Sequence, residues 1–377
     1  MHENALDPAT PPERHRFHFL DALRGLAAIL VIIRHAPPVY RKAFVSPNSF
    51  LAVDFFFCLS GFVIAFSYEK RLQGLLTFKN FFLARVIRLY PIAAIGTLIG
   101  AADTAFFSRM YGHSPVSVLN LAKYIALGLL VLPSYRDVLF PLDFVMWTLF
   151  FELVANIFYA ALVRFGLARL PVIAAIAGLS LALIAFERTK LGTVDQGWDV
   201  THAYMGMTRV CLSFFAGVLT FRMYKRFSHE GLREGHSVFA GVGVVGAFVL
   251  VLCGPAFFTR NAVSQLLVLA VVFPLIVYFG AHIALSPRWT TICAFLGTIS
   301  YPLYILHPVL LRPLQIPGSR NYAASHTGGA KIIMLIAGVV LVIVSWFVAK
   351  YYDTPMRQML TSYVRSRATT SKLRVSS

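Results

Sequence analysis

Residues 19–38 read FLDALRGLAAILVIIRHAPP, an apolar run that ends in two prolines. A helix needs about 20 apolar residues to cross the hydrocarbon core of a bilayer, and this run has that length. Four of its side chains are ionisable: Asp21, Arg24, Arg34 and His35. Because charged groups at membrane depth are costly unless they are paired or hydrated, the stretch predicts both a membrane span and a polar interior.

The chain as a whole has the composition of a membrane protein. Of its 377 residues, 58% are hydrophobic and 13% are charged, against about 25% charged residues in an ordinary soluble domain. This leaves too little polar surface for a soluble multi-domain enzyme, and it excludes a disordered or collagen-like chain. The net charge of +18 fits the basic cytoplasmic loops of membrane proteins, so we expect a lipid bilayer and no nucleic acid as partner.

The apolar runs predict an all-α polytopic membrane protein with about ten transmembrane helices. An eleventh stretch, 118–133, is short and contains Lys123 and Pro133, and we interpret it as one extra non-spanning helix. The spans form a membrane domain, 17–352, between a polar N-terminal tail, 1–16, and a basic C-terminal tail, 353–377. The predicted spans are 20–37, 50–68, 82–101, 145–164, 170–187, 204–221, 236–254, 264–282, 292–311 and 331–350.

The distribution of positive charge sets the predicted orientation. With ten spans and both termini cytoplasmic, most of the 34 Lys and Arg residues fall on the cytoplasmic side, which is the usual bias of membrane proteins. If 118–133 crossed the membrane, every later segment would change sides and the bias would disappear. We therefore expect both termini in the cytoplasm.

Arg24 and His35 lie on one face of the first predicted helix. They are eleven residues apart in the sequence, about 20° more than three full turns and about 16 Å along the axis. Arg24 is near the cytoplasmic end and His35 near the outer end. The plainer interpretation, an inner anchor and an interfacial histidine, is equally consistent with this span alone.

The second span carries an acid near its outer end. Asp54 lies one turn into LAVDFFFCLSGFVIAF (51–66), at about the depth of His35 on the preceding helix. A carboxylate beside an imidazole fixes its tautomer, so we predict that Asp54 orients His35. Ser60 and Gly61 lie deeper, and we interpret this pair of small residues as a helix-packing contact.

Three later spans add further polar groups. Arg85 and Arg88 are three residues apart in the third span and share a face at the cytoplasmic boundary, either as lipid anchors or as a cradle for a polyanion. The fourth span enters the membrane from outside and carries Glu152. His307 lies near the outer end of the ninth span, with Tyr301 and Tyr304 below it. We predict arginines at an inner mouth and His35, Asp54, Glu152 and His307 around one outer cavity.

Five segments together resemble the acyltransferase 3 family of integral membrane O-acyltransferases, which includes relatives of the O-antigen acetylases. They occur in family order between about residues 17 and 355. They are Arg24-x10-His35 with LDALRGLAA (20–28), AVDFFFCLSGF (52–62), ARVIRLYP (84–91), WTLFFE (147–152) and ISYPLYILHP (299–308). The fourth segment keeps the family's Trp and first Glu as Trp147 and Glu152, but the second acid is Leu153. The residue after Asp21 is Ala22, where the family usually has Gly.

The resemblance implies an enzyme that transfers an acyl group, usually acetyl, from cytoplasmic acyl-CoA to a hydroxyl of an extracytoplasmic or lipid-linked glycan. It implies a multi-pass protein of the plasma (inner) membrane. In the family, the Arg and His of the first motif and the Arg-x-x-Arg pair are required, and these correspond to Arg24, His35, Arg85 and Arg88. Our own hypothesis is that Arg24, Arg85 and Arg88 bind the phosphates of the donor. No metal is expected, since the histidines show no HExxH-like pair. The catalytic candidates are His35, Asp54 and Glu152, and the candidates for substrate binding are His307, Tyr301, Tyr304 and Trp147.

Several questions stay open at this level. His35 could act as general base on the acceptor hydroxyl or as a nucleophile that carries the acyl group. A proton-coupled transporter could use the same intramembrane acids and histidines as a relay, although the sequence shows no inverted repeat and the arginines would then lack a role. A non-catalytic scaffold would tolerate apolar replacements at these positions. The acceptor, the acyl chain length and the oligomeric state are not fixed by the sequence.

Overall fold

The structure is a computed structural model that describes residues 16–41, 47–111, 116–227, 234–255 and 261–375. Within these ranges it is built from helices, and the β-type pairing is one isolated bridge between Val138 and Asp199. The predicted all-α polytopic fold is confirmed. The predicted N-terminal tail lies, except for Arg16, outside the described residues.

Thirteen helices longer than one turn make up the described part of the chain. One of them, α9, contains a π-helical turn, Val268–Val272, and another π-helical turn, Ala349–Asp353, joins α12 to α13. The helices are α1 His18–His35, α2 Ala52–Gln73, α3 Phe78–Tyr111, α4 Val118–Leu129, α5 Met146–Arg164, α6 Leu170–Leu191, α7 Ala203–Phe227, α8 Glu234–Cys253, α9 Ala262–Ala281, α10 Pro287–Leu310, α11 Pro317–Ser325, α12 Thr327–Val348 and α13 Thr354–Val375.

Eight helices of the described part are long and apolar enough to cross a membrane, and each matches a predicted span. The two other predicted spans, 20–37 and 236–254, are also helical and form α1 and α8. Helix α1 contains all four ionisable residues of the 19–38 stretch, namely Asp21, Arg24, Arg34 and His35. The number of ten spans and the cytoplasmic termini stay predictions.

Helix α4 occupies the segment that was expected not to cross the membrane. It has 12 residues, about 18 Å of helix against the about 30 Å of a hydrocarbon core. The side chain of Ser117 caps its first turn by accepting from the backbone N–H of Asn120, at 3.2 Å. The cap fixes the beginning of α4, and the length of the helix agrees with a non-spanning element.

Two glycines let α2 and α7 cross in backbone contact. A Cβ atom on Gly61 would lie 1.9 Å from the carbonyl oxygen of Phe214, and one on Gly217 would lie 1.9 Å from the carbonyl oxygen of Cys58. No side chain fits at either position, because real Cβ atoms do not approach backbone so closely. The predicted packing role of Gly61 is confirmed, and the crossing fixes α2 and α7 as the centre of the bundle.

The outer segments before α5 and α7 are pinned to each other. The backbone N–H of Leu139 donates to the carbonyl of Trp198 at 3.1 Å, and that of Val200 donates to Asp137 at 3.1 Å. Between this pairing and α5, the ring of Phe144 packs edge-on against His35 with ring centroids 4.9 Å apart. These segments therefore cover the end of the bundle that holds His35, which we name the outer end. The end that holds Arg24 is the inner end.

The predicted C-terminal tail, 353–377, is helical as far as Val375. It continues the last span as α13, through the π-helical turn Ala349–Asp353, and packs against α3. Single π-helical turns inside longer helices occur frequently at functional sites. The turn brings Asp353, which is 1% exposed, back against the inner end of the bundle.

Candidate active site

A pair of histidines occupies the outer end. His35 is the last residue of α1 and His307 lies on α10. The Nδ1 atom of His35 and the Nε2 atom of His307 are 2.9 Å apart. His307 has no exposed surface, and its ring stacks on that of His35 with centroids 5.0 Å apart. The structure thus joins two residues that the sequence placed at a similar depth.

Pro308 determines which nitrogen of His307 carries the proton. A proline has no N–H, so the carbonyl of Tyr304, four residues earlier in α10, receives no helical hydrogen bond from position 308. The Nδ1 atom of His307 lies 2.7 Å from that carbonyl oxygen. Because a carbonyl only accepts, Nδ1 of His307 is the donor and Nε2 is the unprotonated nitrogen of the neutral ring.

The tautomer of His35 follows from that of His307. Since Nε2 of His307 accepts, the 2.9 Å contact requires Nδ1 of His35 to donate. The unprotonated nitrogen of neutral His35 is then Nε2, which is the atom able to take a proton from a substrate. The pair therefore presents one basic nitrogen at the outer end of the bundle.

A carboxylate occupies the middle of the bundle. Oε1 of Glu152 on α5 accepts from Arg85 Nη2 at 3.2 Å and from the hydroxyl of Ser60 at 2.6 Å. Glu152 was predicted in the outer group and Arg85 at the inner boundary, but the two meet in one ion pair. The prediction that Ser60 serves only helix packing is wrong, because its hydroxyl binds this carboxylate.

One face of α5 carries polar side chains along its length. Thr148, Glu152, Asn156 and Tyr159 are spaced by four, four and three residues, so they share a face. The hydroxyls of Thr148 and Tyr304 are 3.1 Å apart, and the hydroxyl of Tyr159 donates to Glu69. The face thereby links the outer end, through Glu152, to groups nearer the inner end.

Arg24 is fixed at the inner end by α10. Its Nε donates to the hydroxyl of Ser300 at 2.9 Å and its Nη2 donates to the carbonyl of Gly297 at 2.8 Å. Asp21, one turn earlier, pairs with it at 3.0 Å. A Cβ atom on Gly297 would lie 2.6 Å from the Cβ of Asp21, so the glycine allows this approach. Arg24 and His35 both bind α10, as their shared helix face predicts.

Arg88 is a further cation at the inner end. It is half-buried and close enough to Arg24 to interact with it electrostatically. Among the residues that the structure describes, Arg88 makes no hydrogen bond or close ion pair. Beside it, the hydroxyl of Tyr301 donates to the carbonyl of Leu89 at 2.6 Å, which attaches α10 to α3. Two guanidinium groups thus lie near each other, a charge distribution that suits an anion.

The predicted contact between Asp54 and His35 is wrong. Arg209 on α7 binds both oxygens of Asp54, with Nη2 to Oδ2 at 2.6 Å and Nε to Oδ1 at 3.2 Å, and neither side chain is exposed. The guanidinium of Arg209 lies over the ring of Trp147 at 5.6 Å. Asp54 therefore belongs to a buried charge pair with Arg209, against which Trp147 packs, because α2 turns Asp54 toward α7 and not toward α1.

Arg209 also donates to two backbone carbonyls, Gln196 at 2.9 Å and Phe50 at 3.3 Å. The sequence prediction missed this residue. A signal was present, because Arg209 is a lone charge within an apolar span and lies about as far from the outer end as Asp54 does.

Other features bear on what the site could bind. Asn156 has no exposed surface, and neither atom of its amide has a hydrogen-bond partner in the described part of the chain. Among the described residues, no group of three or more His, Cys, Asp or Glu could hold a metal ion. That no metal is needed stays a prediction.

The arrangement defines a class of protein. Arginines at one end of a membrane bundle, a basic imidazole at the other and a carboxylate between them suit a membrane enzyme that moves a group from an anionic donor to a nucleophile. The acyltransferase 3 family model, described as an acyltransferase domain, matches residues 17–351. The chain belongs to this family and is a multi-pass membrane acyltransferase.

A curated relative is similar over part of the chain. It is "Protein 2 in picA locus" of Rhizobium radiobacter, 37% identical over 164 residues, which is 40% of this chain and 83% of the relative. No solved structure matches the chain.

Proposed function

We propose that this protein transfers an acetyl group from cytoplasmic acetyl-CoA to a hydroxyl of an extracytoplasmic or lipid-linked glycan at the plasma membrane. The observation that carries the proposal is the order of groups along one bundle: the inner arginines, Glu152, and the His35–His307 pair. Arg24 and His35 are about 16 Å apart along α1, a distance comparable to the length of a pantetheine arm. In this proposal, a donor held at the inner end presents its thioester to the outer end.

The chemistry at the outer end follows from the tautomers. The hydroxyl of the acceptor gives its proton to Nε2 of His35 while its oxygen attacks the thioester carbonyl. The C–S bond then breaks, the acyl group stays on the acceptor oxygen, and the CoA thiolate takes the proton from His35. Throughout, His307 accepts the Nδ1 proton of His35, so Nε2 of His35 remains the nitrogen that takes up and returns the proton. In the alternative route, Nε2 of His35 attacks the thioester carbonyl, and the C–S bond breaks to release the CoA thiolate. The acceptor oxygen then attacks the acyl group, the N–acyl bond to His35 breaks, and the hydroxyl proton goes to the thiolate.

The inner arginines bind the donor in this proposal. Arg24 and Arg88 contact the phosphates, and phosphate is the ligand that guanidinium groups bind best. The charge of Arg85 is matched by Glu152, so Arg85 acts mainly by placing that carboxylate beside the thioester path. Tyr304 and Thr148 lie between Glu152 and the histidines and contact the acyl group or the acceptor.

The test is CoA-dependent acylation of membrane glycans by His35→Ala and Arg24→Ala proteins that insert normally. We expect the His35 variant to lose about 100-fold or more in rate, and the Arg24 variant to need much more acetyl-CoA. His326→Ala and Arg320→Ala are matched controls, because both residues are exposed and lie on or next to α11. Wild-type rates in both test variants would contradict the proposal.

A rapid-quench experiment separates the two chemical routes. The enzyme is mixed with acetyl-CoA in the absence of acceptor, denatured within milliseconds and examined by peptide mass spectrometry. Acetyl on His35 would support the nucleophile, and unmodified His35 in an enzyme that still acylates glycan would support the general base.

A further inference from the structure

A third arginine reaches the inner end from beyond the segment that the family model matches. Arg357 lies one turn into α13, and its Nη2 pairs with Oδ2 of Asp353 on the π-helical turn. The family match ends at residue 351, so neither residue lies within it. The turn packs against both α3 and α10, which carry Arg88 and Ser300.

Arg357 joins the charges already described. Arg88 interacts electrostatically with both Arg357 and Asp353. The hydroxyl of Tyr301 donates to the carbonyl of Leu89, the residue next to Arg88, and the turn that carries Asp353 packs against the same two helices, α3 and α10. Three helices, α1, α3 and α13, therefore each contribute a guanidinium group to one region. Asp21 pairs with Arg24 and Asp353 pairs with Arg357, but Arg88 adds a positive charge that the described carboxylates do not match.

This excess of charge points to an anion. Guanidinium groups held near one another repel, and a bound phosphate relieves that repulsion while accepting hydrogen bonds from several of them. Arg357 is also accessible, with 28% of its side chain exposed, whereas Arg85 is 7% exposed and already paired with Glu152. Of these two arginines, Arg357 and not Arg85 therefore offers a guanidinium group that a ligand can reach.

We infer that Arg357, positioned by Asp353, binds a phosphate of the donor's nucleotide together with Arg88 and Arg24. This inference rests on the proposed function, because it takes acyl-CoA as the donor. It assigns the arginine after the π-helical turn to substrate binding, and it gives the turn a role, which is to bring α13 back over the inner mouth.

The experiment measures binding to the purified full-length protein in phosphatidylcholine nanodiscs by calorimetry. The probes are acetyl-CoA and adenosine 3′,5′-bisphosphate, which carries phosphates of the donor without its thioester arm. We expect Arg357→Gln to raise Kd for both probes about 10-fold or more, as the loss of a charge-assisted hydrogen bond would. Arg357→Lys keeps the charge but loses the planar fork, so its Kd should fall between those of the wild type and Arg357→Gln.

Lys350→Gln is the matched control. Lys350 belongs to the same π-helical turn, but its ammonium group lies over the rings of Trp346 and Tyr351, so its loss should leave both Kd values unchanged. Thermal unfolding of each variant verifies that the fold is intact. If Arg357→Gln does not fold, Arg357→Lys decides, and a Kd equal to that of the wild type would contradict the inference.

The remaining outcomes distinguish the two proposals. If the wild type binds acetyl-CoA and Arg357→Gln binds each probe with the same Kd as the wild type, the Arg357 site is wrong and the proposed function stands. If the wild type binds no acetyl-CoA, the proposed donor is wrong. An effect of Arg357→Gln that appears only in nanodiscs containing phosphatidylglycerol would show that Arg357 binds lipid headgroups, and this too would overturn the inference.

Discussion

Asp54 and Arg209 form an ion pair in which neither side chain has any exposed surface. Two buried charges stabilise a fold only when each satisfies the other, and removing one of them leaves the other uncompensated. The pair also connects α2 and α7 to the outer loop through the carbonyl of Gln196. Its position beside the histidines, with no part in their contact, makes it a structural element of the outer end.

Asp54→Asn should therefore act on stability. We expect the free energy of unfolding to fall by about 3–5 kcal/mol, measured by denaturation in mixed micelles. The double variant Asp54→Leu with Arg209→Met should recover much of this loss, because no uncompensated charge remains. An Asp54→Asn protein that is as stable as the wild type but inactive would restore the predicted role in orienting His35.

His307 should act on catalysis through His35. His307→Ala removes the acceptor for the Nδ1 proton of His35, so we expect kcat to fall about 10-fold, less than in His35→Ala. His307→Gln offers an amide oxygen in place of the ring nitrogen and should retain more activity than His307→Ala. The measurement is kcat over a range of pH with stability checked in parallel. Equal losses in the two His307 variants would show that hydrogen-bond acceptance is not the role of this residue.

Gly61→Ala should disrupt the crossing of α2 and α7. The added methyl would lie 1.9 Å from a backbone oxygen, so the helices must separate, at a cost of about 1–3 kcal/mol or more. Gly178→Ala on α6 is the control, because nothing lies within 4 Å of its added Cβ. The yield of monodisperse protein and the unfolding temperature measure the difference. Similar values for both variants would contradict the packing described above.

Asp143, in the outer segment before α5, should make stability depend on pH. Burial raises the pKa of its carboxyl well above the ordinary value, and the backbone N–H of Val145 offsets only part of this. Between the unfolded pKa of about 3.9 and the raised folded pKa, the folded state binds the proton more tightly than the unfolded chain does. Stability is therefore lost as pH rises through this window, by about 1.4 kcal/mol per pH unit.

Asp143→Asn removes this dependence. Relative to the wild type, the variant should gain unfolding temperature as the pH is raised from 5 to 8, because Asn cannot ionise. Unfolding of both proteins in the same detergent at each pH gives the comparison. Curves that run parallel across the range would show that Asp143 titrates normally.

The sequence was sufficient to predict the features that depend on a single helix. Apolar length predicted the spans, and helical periodicity placed Arg24 and His35 toward one neighbour, α10. Prediction from the sequence failed where a contact depends on how two helices are rotated relative to each other. Asp54 could have faced α1 or α7, and only the packing of Gly61 against α7 decides between them. The same holds for Glu152, whose depth was estimated from one end of α5 while its partner, Arg85, enters from the opposite side.

Pro308 has a consequence for the energetics of a base within a bilayer. Soluble hydrolases often orient a catalytic imidazole with an aspartate, but a second ionised acid in this low-dielectric region would carry a large Born energy. The carbonyl oxygen of Tyr304, which Pro308 leaves without a helical hydrogen bond, instead orients His307. The neutral Nε2 atom of His307 then serves as the directional acceptor for the catalytic His35. The outer end can thereby keep the basic ring of His35 oriented without a buried counter-ion, which would be costly in this low-dielectric region.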